Sequence, residues 1–248
     1  MTKHPAPMVS LQLWSLRDEI KTDFARTVAS VVKIGYPAVE LAGYGNLDAR
    51  RAKTALAAAG LKVSGMHVGA PDLRSNLSQI VSEALLLETH YVVVAWWPPD
   101  QFVSVAACQK IGEMLNEFGE ALRAFGLQLA FHNHDTEFRL FAGRPAFEWI
   151  LGAAEPRNLQ AEVDMYWAHV GGYSPVKFLL EQGKRVPLIH LKDEKELGQG
   201  PVDYPAIFAA AEAAGAVEWY VVEQEDYNHP PIESVRLDFE QLRRWGRV

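Results

Sequence analysis

Two hydrophobic patterns alternate along the chain. Short aliphatic runs, often β-branched, are followed by longer stretches in which apolar residues recur every three or four positions. The first pattern predicts strands and the second helices. Strands are expected at residues 9–14, 38–42, 62–67, 91–95, 127–132, 159–164, 186–191 and 219–223. Tyr91-Val-Val-Val-Ala95 is the clearest of them, a nearly pure β-branched run. Helices are expected at 24–34, 48–59, 73–88, 101–125, 145–151, 174–181, 204–214 and 232–245. Asp23 or Thr22 suits the N-cap of the first helix and Asp203 that of the seventh, while Gly35, Gly60 and Gly126 mark C-terminal stops.

Eight strand-then-helix units share 248 residues, about 31 each, and no linker, low-complexity tract or composition shift divides them. This predicts an α/β protein made of a single (β/α)8 TIM barrel, with residues 1–248 as one domain. A doubly wound open sheet is the alternative. It would be expected to carry a glycine-rich turn after the first strand, where this chain has Trp14-Ser-Leu-Arg-Asp18. In a barrel the chemistry gathers where the strands end, so the strand-end residues are the candidates.

Composition narrows the function classes. A net charge of -7, with no basic stripe, argues against a nucleic-acid surface. No segment approaches the roughly 20 apolar residues of a membrane span, and Met1 to Met8 lacks the apolar core of a signal peptide. A cytoplasmic protein is the simplest expectation. The one cysteine, Cys108, sits in an apolar helical stretch and is expected to be a buried packing residue.

The stretch Leu188-Ile-His-Leu-Lys-Asp193 shows the strand-end chemistry best. His190 and Lys192 are two apart and share one side of the strand; Leu191 and Asp193 take the other. Lys192 is expected either to bind a substrate group or to pair with Asp193. The strand ends of the second half supply His132, Asp164, His190 and Glu223, with separations of 32, 26 and 33 residues, about one unit each. Alone, Asp164 would pass for a helix cap, His190 for a hydrogen-bonded core histidine and Glu223 for a rim carboxylate. Together, on four consecutive strands, they predict a metal site. Mixed imidazole and carboxylate donors suit one divalent ion such as Mn, Zn, Co or Fe(II), and Mg less well. His134 shares the side of His132 and is expected to face the barrel mouth with it, and His67 is a candidate wall residue. Trp14, Trp96, Trp97 and Trp167 also fall at strand ends, where flat apolar walls with a few polar groups suit a sugar-like ligand.

Several stretches carry a resemblance. Gln12-Leu-Trp-Ser-Leu-Arg17, Gly35-Tyr-Pro-Ala-Val-Glu-Leu41, His132-Asn-His-Asp-Thr-Glu-Phe138, Glu162-Val-Asp-Met-Tyr-Trp167, His190-Leu-Lys-Asp193 and Tyr220-Val-Val-Glu223 occur in order over nearly the whole chain. The sequence resembles the sugar phosphate isomerase/epimerase family of the xylose-isomerase-like TIM barrels. That resemblance implies a divalent metal held by a Glu, an Asp, a His and a Glu from the last four strands. The last three carry over onto Asp164, His190 and Glu223. Where the family pattern has its first Glu, this chain has His132. Either His132 replaces the carboxylate as ligand, or Glu137 further along the loop reaches the metal and leaves His132 as an acid/base.

The resemblance implies an enzyme that moves a proton beside the carbonyl of a sugar or polyol derivative. Glu223 is the expected base, with His132 or His134 opposite it. Trp14, His67, Asn133, Trp167 and Lys192 are the expected substrate contacts. Isomerisation or epimerisation is the first expectation. Because imidazoles stand opposite Glu223, elimination from a keto-sugar, keto-glycoside or keto-inositol is the second. A phosphodiester hydrolase of the three-zinc kind would need more ligands than the chain supplies, and an inactive sugar-binding barrel would have little use for the full donor set. The exposed tryptophans would allow a homodimer.

Overall fold

The computed structural model describes residues 6–248. Residues 1–5, most of the start read as lacking a signal peptide, lie outside it. Eight parallel strands form one closed barrel: β1 (Met8–Gln12), β2 (Ala38–Leu41), β3 (Lys62–Val68), β4 (Tyr91–Val94), β5 (Gln128–His132), β6 (Leu159–Asp164), β7 (Leu188–Leu191) and β8 (Trp219–Val222). Each pairs with the next, and β8 closes on β1 through Met8↔Trp219 to Leu11↔Val222. Helices wrap the outside, so the expected single (β/α)8 TIM barrel is the fold observed. No helix among the described residues is long and apolar enough to cross a membrane.

The interior follows from strand alternation. Ala38, Tyr91, Val93, Ala130, Leu188, Trp219 and Val221 form an apolar plug inside the barrel. Successive side chains on a strand face opposite ways, so the residues two further on share the inner face. From Ala38, Ala130, Leu188 and Val221 those residues are Glu40, His132, His190 and Glu223. The outward-facing aliphatic residues of the same strands pack beneath the helices in a second, larger core.

The element boundaries differ from expectation in two instructive places. The first helix begins at Arg17, seven residues early, and runs to Ile34 with a break at Asp23 (φ −157°, ψ 92°). Asp23 does act as a cap, its carboxylate accepting from the Arg26 N–H at 3.0 Å, but it caps a helix that resumes after a kink. The expected helix 73–88 is two helices, Ala70–Ser75 and Leu77–Leu87, separated by the non-helical Asn76. Cys108 is fully buried, as expected of a packing residue.

The helix Val105–Arg123 passes close to the entry of β6. A Cβ added to Gly119 would lie 1.8 Å from the Asn158 carbonyl oxygen, a backbone atom that cannot swing aside. Gly119→Ala would gain roughly 1 kcal/mol of helix propensity, yet overpacking against main chain costs about 1–3 kcal/mol or more. The variant is therefore expected to be less stable, read as a lower denaturant midpoint at unchanged slope.

Candidate active site at the barrel mouth

Above the apolar plug lies a layer of buried charged side chains. Glu40, Glu162, Asp164 and His190 are fully buried, and His132 and Glu223 nearly so. One ligand-type atom from each of His132, Asp164, His190 and Glu223 lies within 4.8 Å of the others, and so do atoms from His67, His132, Glu162 and His190. The first group is the donor set expected from the strand ends. His190 Nδ1 stands 3.2 Å from Glu223 Oε2. Asp164 Oδ1 accepts from the Trp167 N–H at 2.7 Å and caps the short helix Met165–Val170, whereas Oδ2 is buried with no partner. Asp164 is therefore a helix cap and also offers a free oxygen to the cluster.

The electrostatics suit a cation. Burial pushes the Asp164 carboxyl up to about 7, with Lys192 and His190 opposing. Burial likewise disfavours charge on Glu223, but the hydrogen bond and charge of His190, with Lys192, outweigh it and hold the carboxyl below the usual range. Burial and neighbouring cations lower His132 and His134 to about 4, so both rings are neutral at pH 7. Two carboxylates and two imidazoles at the open end of the barrel, one carboxylate oxygen lacking any proton donor, could hold a divalent metal.

The family match covers residues 28–245, most of the barrel. The chain belongs to the xylose isomerase-like TIM barrel family. No curated protein sequence matches it. Solved structures do. A sugar phosphate isomerase/epimerase from Parabacteroides distasonis superimposes with a TM-score of 0.86 at 22% identity, covering 96% of this chain and 98% of that one. A D-psicose 3-epimerase from Clostridium cellulolyticum, solved with D-tagatose, gives 0.73 at 14% identity, with 96% and 98% covered. A probable 3-DHS dehydratase from Bacillus anthracis gives 0.74 at 14%, with 95% and 98% covered. Likeness at these identities shows a shared fold.

In this xylose isomerase-like barrel a cavity of about 870 Å³ opens over the charged layer. His67, His132, His134, Glu223 and Glu225 line its floor, and Trp14, Trp96, Trp97 and Pro98 contribute apolar wall. Trp14 and Trp96 are 42% and 53% exposed. Trp14 sits in the 3-10 turn Leu13–Leu16 after β1, not on the strand itself.

Other candidates have different places. Glu137 is buried in the turn Thr136–Phe138, where its carboxylate accepts from the His134 N–H at 2.9 Å and the Thr136 hydroxyl at 3.1 Å. It belongs to neither donor group, and its short turn points it back at its own loop. Asn133 uses its amide to clamp the Asp164 backbone, accepting from N–H at 3.0 Å and donating to C=O at 3.2 Å. Trp167 lies beside Lys192, ring centroid 5.5 Å from Nζ, and is not part of the cavity wall. Lys192 pairs with Glu225 at 2.5 Å. The alternative pairing with Asp193 is corrected by the loop, whose Glu194, Gly198 and Gly200 N–H groups each donate to that carboxylate at 3.1 Å.

From sequence, Glu40 is only one of the strand-end suspects, with no role assigned, and Glu162 is not singled out at all. Both lie in the charged layer. The signal that would find Glu162 is its place two residues before Asp164, on the same face of β6.

Proposed function

We propose that this barrel is a divalent-metal-dependent enzyme that moves a proton beside the carbonyl of a sugar or polyol derivative, by isomerisation or epimerisation. The observation that carries it is the convergence of His132, Asp164, His190 and Glu223, with an unpartnered Asp164 oxygen, at a cavity that His132 and Glu223 line. Those four residues would hold the ion. When bound, the metal would supply Lewis-acid polarisation of a substrate carbonyl and stabilise the charge that develops on its oxygen.

The chain's own residues would do the rest. Glu223 is ionised, lines the cavity and can take a proton from the carbon beside the carbonyl. His134, neutral and lining the same cavity, can deliver or accept the second proton, a role His132 would share if it were not a ligand. His67, Trp14 and Lys192 are proposed to orient the substrate, Lys192 through its ion pair with Glu225 at the cavity edge. Trp14, Trp96 and Trp97 would exclude water from the reacting carbon.

Elimination from a keto-sugar, keto-glycoside or keto-inositol is the second reading. Two neutral imidazoles in place of a second carboxylate favour it, as does a cavity near the upper end of the range for small-molecule sites. The related fold of a probable dehydratase is compatible with this chemistry.

Metal content by mass spectrometry tests the common core of both readings. Purified wild type loaded with Mn or Zn is expected to retain about one ion per chain, and His132→Ala to lose it. Retention by the variant would move His132 to the acid/base role. An empty wild type would sink the metal reading altogether.

A further inference from the structure

Beneath the proposed metal donors, three histidine rings converge on two carboxylates. Glu162 Oε2 lies 2.8 Å from His67 Nε2, 3.1 Å from His132 Nδ1 and 3.2 Å from His190 Nε2. Glu40 Oε2 lies 2.8 Å from His190 Nε2, 2.9 Å from His67 Nε2 and 2.8 Å from Gln12 Nε2. Both glutamates are fully buried. An ionised carboxylate only accepts hydrogen bonds, so each ring nitrogen facing it must carry a proton.

We propose that Glu162, seconded by Glu40, is a positioning residue that sets which nitrogens of His132 and His190 are protonated. His132 keeps its proton on Nδ1 and His190 on Nε2, both directed down into the layer. That leaves Nε2 of His132 bare, and Nδ1 of His190 as the nitrogen free to give up its proton, for the Asp164 and Glu223 level above. His190 Nδ1 lies 3.2 Å from the ionised Glu223, so by the same rule it carries a proton in the metal-free protein, and an ion at that level would displace that proton. Histidine ligands that donate their second N–H to a carboxylate bind metals more tightly and in a fixed orientation. Here one glutamate would do this for both histidine ligands at once. The inference rests on the metal reading above and deepens it.

The competing view is an ion inside the layer itself, because His67, His132, Glu162 and His190 also cluster within 4.8 Å. The contact lengths decide against it. Tetrahedral ligands at the roughly 2.1 Å typical of zinc–nitrogen and zinc–oxygen bonds stand about 3.4 Å apart. The contacts in the layer are 2.8–3.2 Å, which are hydrogen-bond lengths.

The experiment combines zinc titration calorimetry with histidine ring ¹⁵N shifts. It uses wild type, Glu162→Gln and Glu40→Gln. In Glu162→Gln the substituted amide would set an NH2 group or a single acceptor against three donor nitrogens, so at least one ring must turn or change tautomer. Zinc affinity is expected to fall about 10–100-fold in Glu162→Gln. A smaller loss is expected in Glu40→Gln, because Glu40 contacts His190 but not His132. The zinc-loaded wild type, which needs no variant to fold, is expected to show protons on His132 Nδ1 and His190 Nε2. Reversed protonation, or wild-type zinc affinity in Glu162→Gln, would overturn the proposal. So would two zinc ions per wild-type chain with one lost in Glu162→Gln, since the layer would then hold an ion. If wild type binds no zinc, the metal reading fails separately. The neutral His132 ring still reports in that case: Nδ1–H supports the proposed proton placement and Nε2–H overturns it.

Discussion

Glu223→Gln is expected to reduce kcat at least about 10³-fold on any substrate the wild type turns over, with a much smaller change in substrate binding. General-base catalysis alone typically contributes roughly 10²–10⁴-fold, and the change also removes a charged donor from the proposed ion. The variant preserves shape and hydrogen-bonding capacity, so the loss would be chemical and not a failure to fold. Glu223 is suited to the role because its carboxylate stays ionised despite burial, held by His190 at 3.2 Å and by the Lys192 charge. The measurement is steady-state kinetics beside metal content. Lost turnover with metal retained would isolate the proton-transfer role, and lost metal would put the effect on the site's assembly. Full turnover in Glu223→Gln would remove Glu223 from the mechanism.

The fold was legible because each strand carries its own local signal. Tyr91-Val-Val-Val-Ala95 has no helical period, and the helix between Asp48 and Gly60 is capped at both ends by residues whose chemistry is local. The kink at Asp23 was partly visible, since Asp23 reads as a cap. What was hidden was that Arg17 to Thr22 is also helical, a turn held by packing and not by any periodic apolar face. The cluster of His132, Asp164, His190 and Glu223 could be read because each lies at or beside the end of its strand. Glu162 could not be read in the same way, being one turn of the pleat deeper, and its partners His67 and His190 are 95 and 28 residues away in the chain. Glu137 looked equivalent to the strand-end donors in sequence. Its loop closes into a turn that gives its carboxylate to the His134 N–H, a conformation that no periodicity announces. Register between strands, and hence which inner residues share a level, is a property of the closed barrel and not of any one segment.

Asp164→Asn is expected to abolish metal retention while making the metal-free protein more stable. The two effects come from the two oxygens of one side chain. Asn can keep the cap, because its Oδ1 can still accept from the Trp167 N–H. It loses the anionic oxygen that has no hydrogen-bond partner. In the wild type, burial raises the Asp164 carboxyl from 3.8 to about 7. At about 1.36 kcal/mol per unit, that shift corresponds to roughly 4 kcal/mol of unfavourable charge burial in the metal-free protein above pH 7. The sign follows from which state holds the proton more tightly. The folded protein does, so wild-type stability increases as the pH falls through about 7, and the full gain is present below the unfolded value near 4. Asn cannot ionise, so this part of the pH dependence should vanish and the variant should melt higher than metal-free wild type at pH 8. Added Zn or Mn should reverse the ranking, because a ligand that binds only the folded state stabilises wild type by mass action and leaves Asp164→Asn unchanged. Thermal melts at pH 5 and pH 8, with and without metal, read all four conditions. If Asp164→Asn melts lower than wild type at pH 8 without metal, the Asp164 carboxylate is not a buried charge awaiting a cation, and the donor set at the barrel mouth loses its central member.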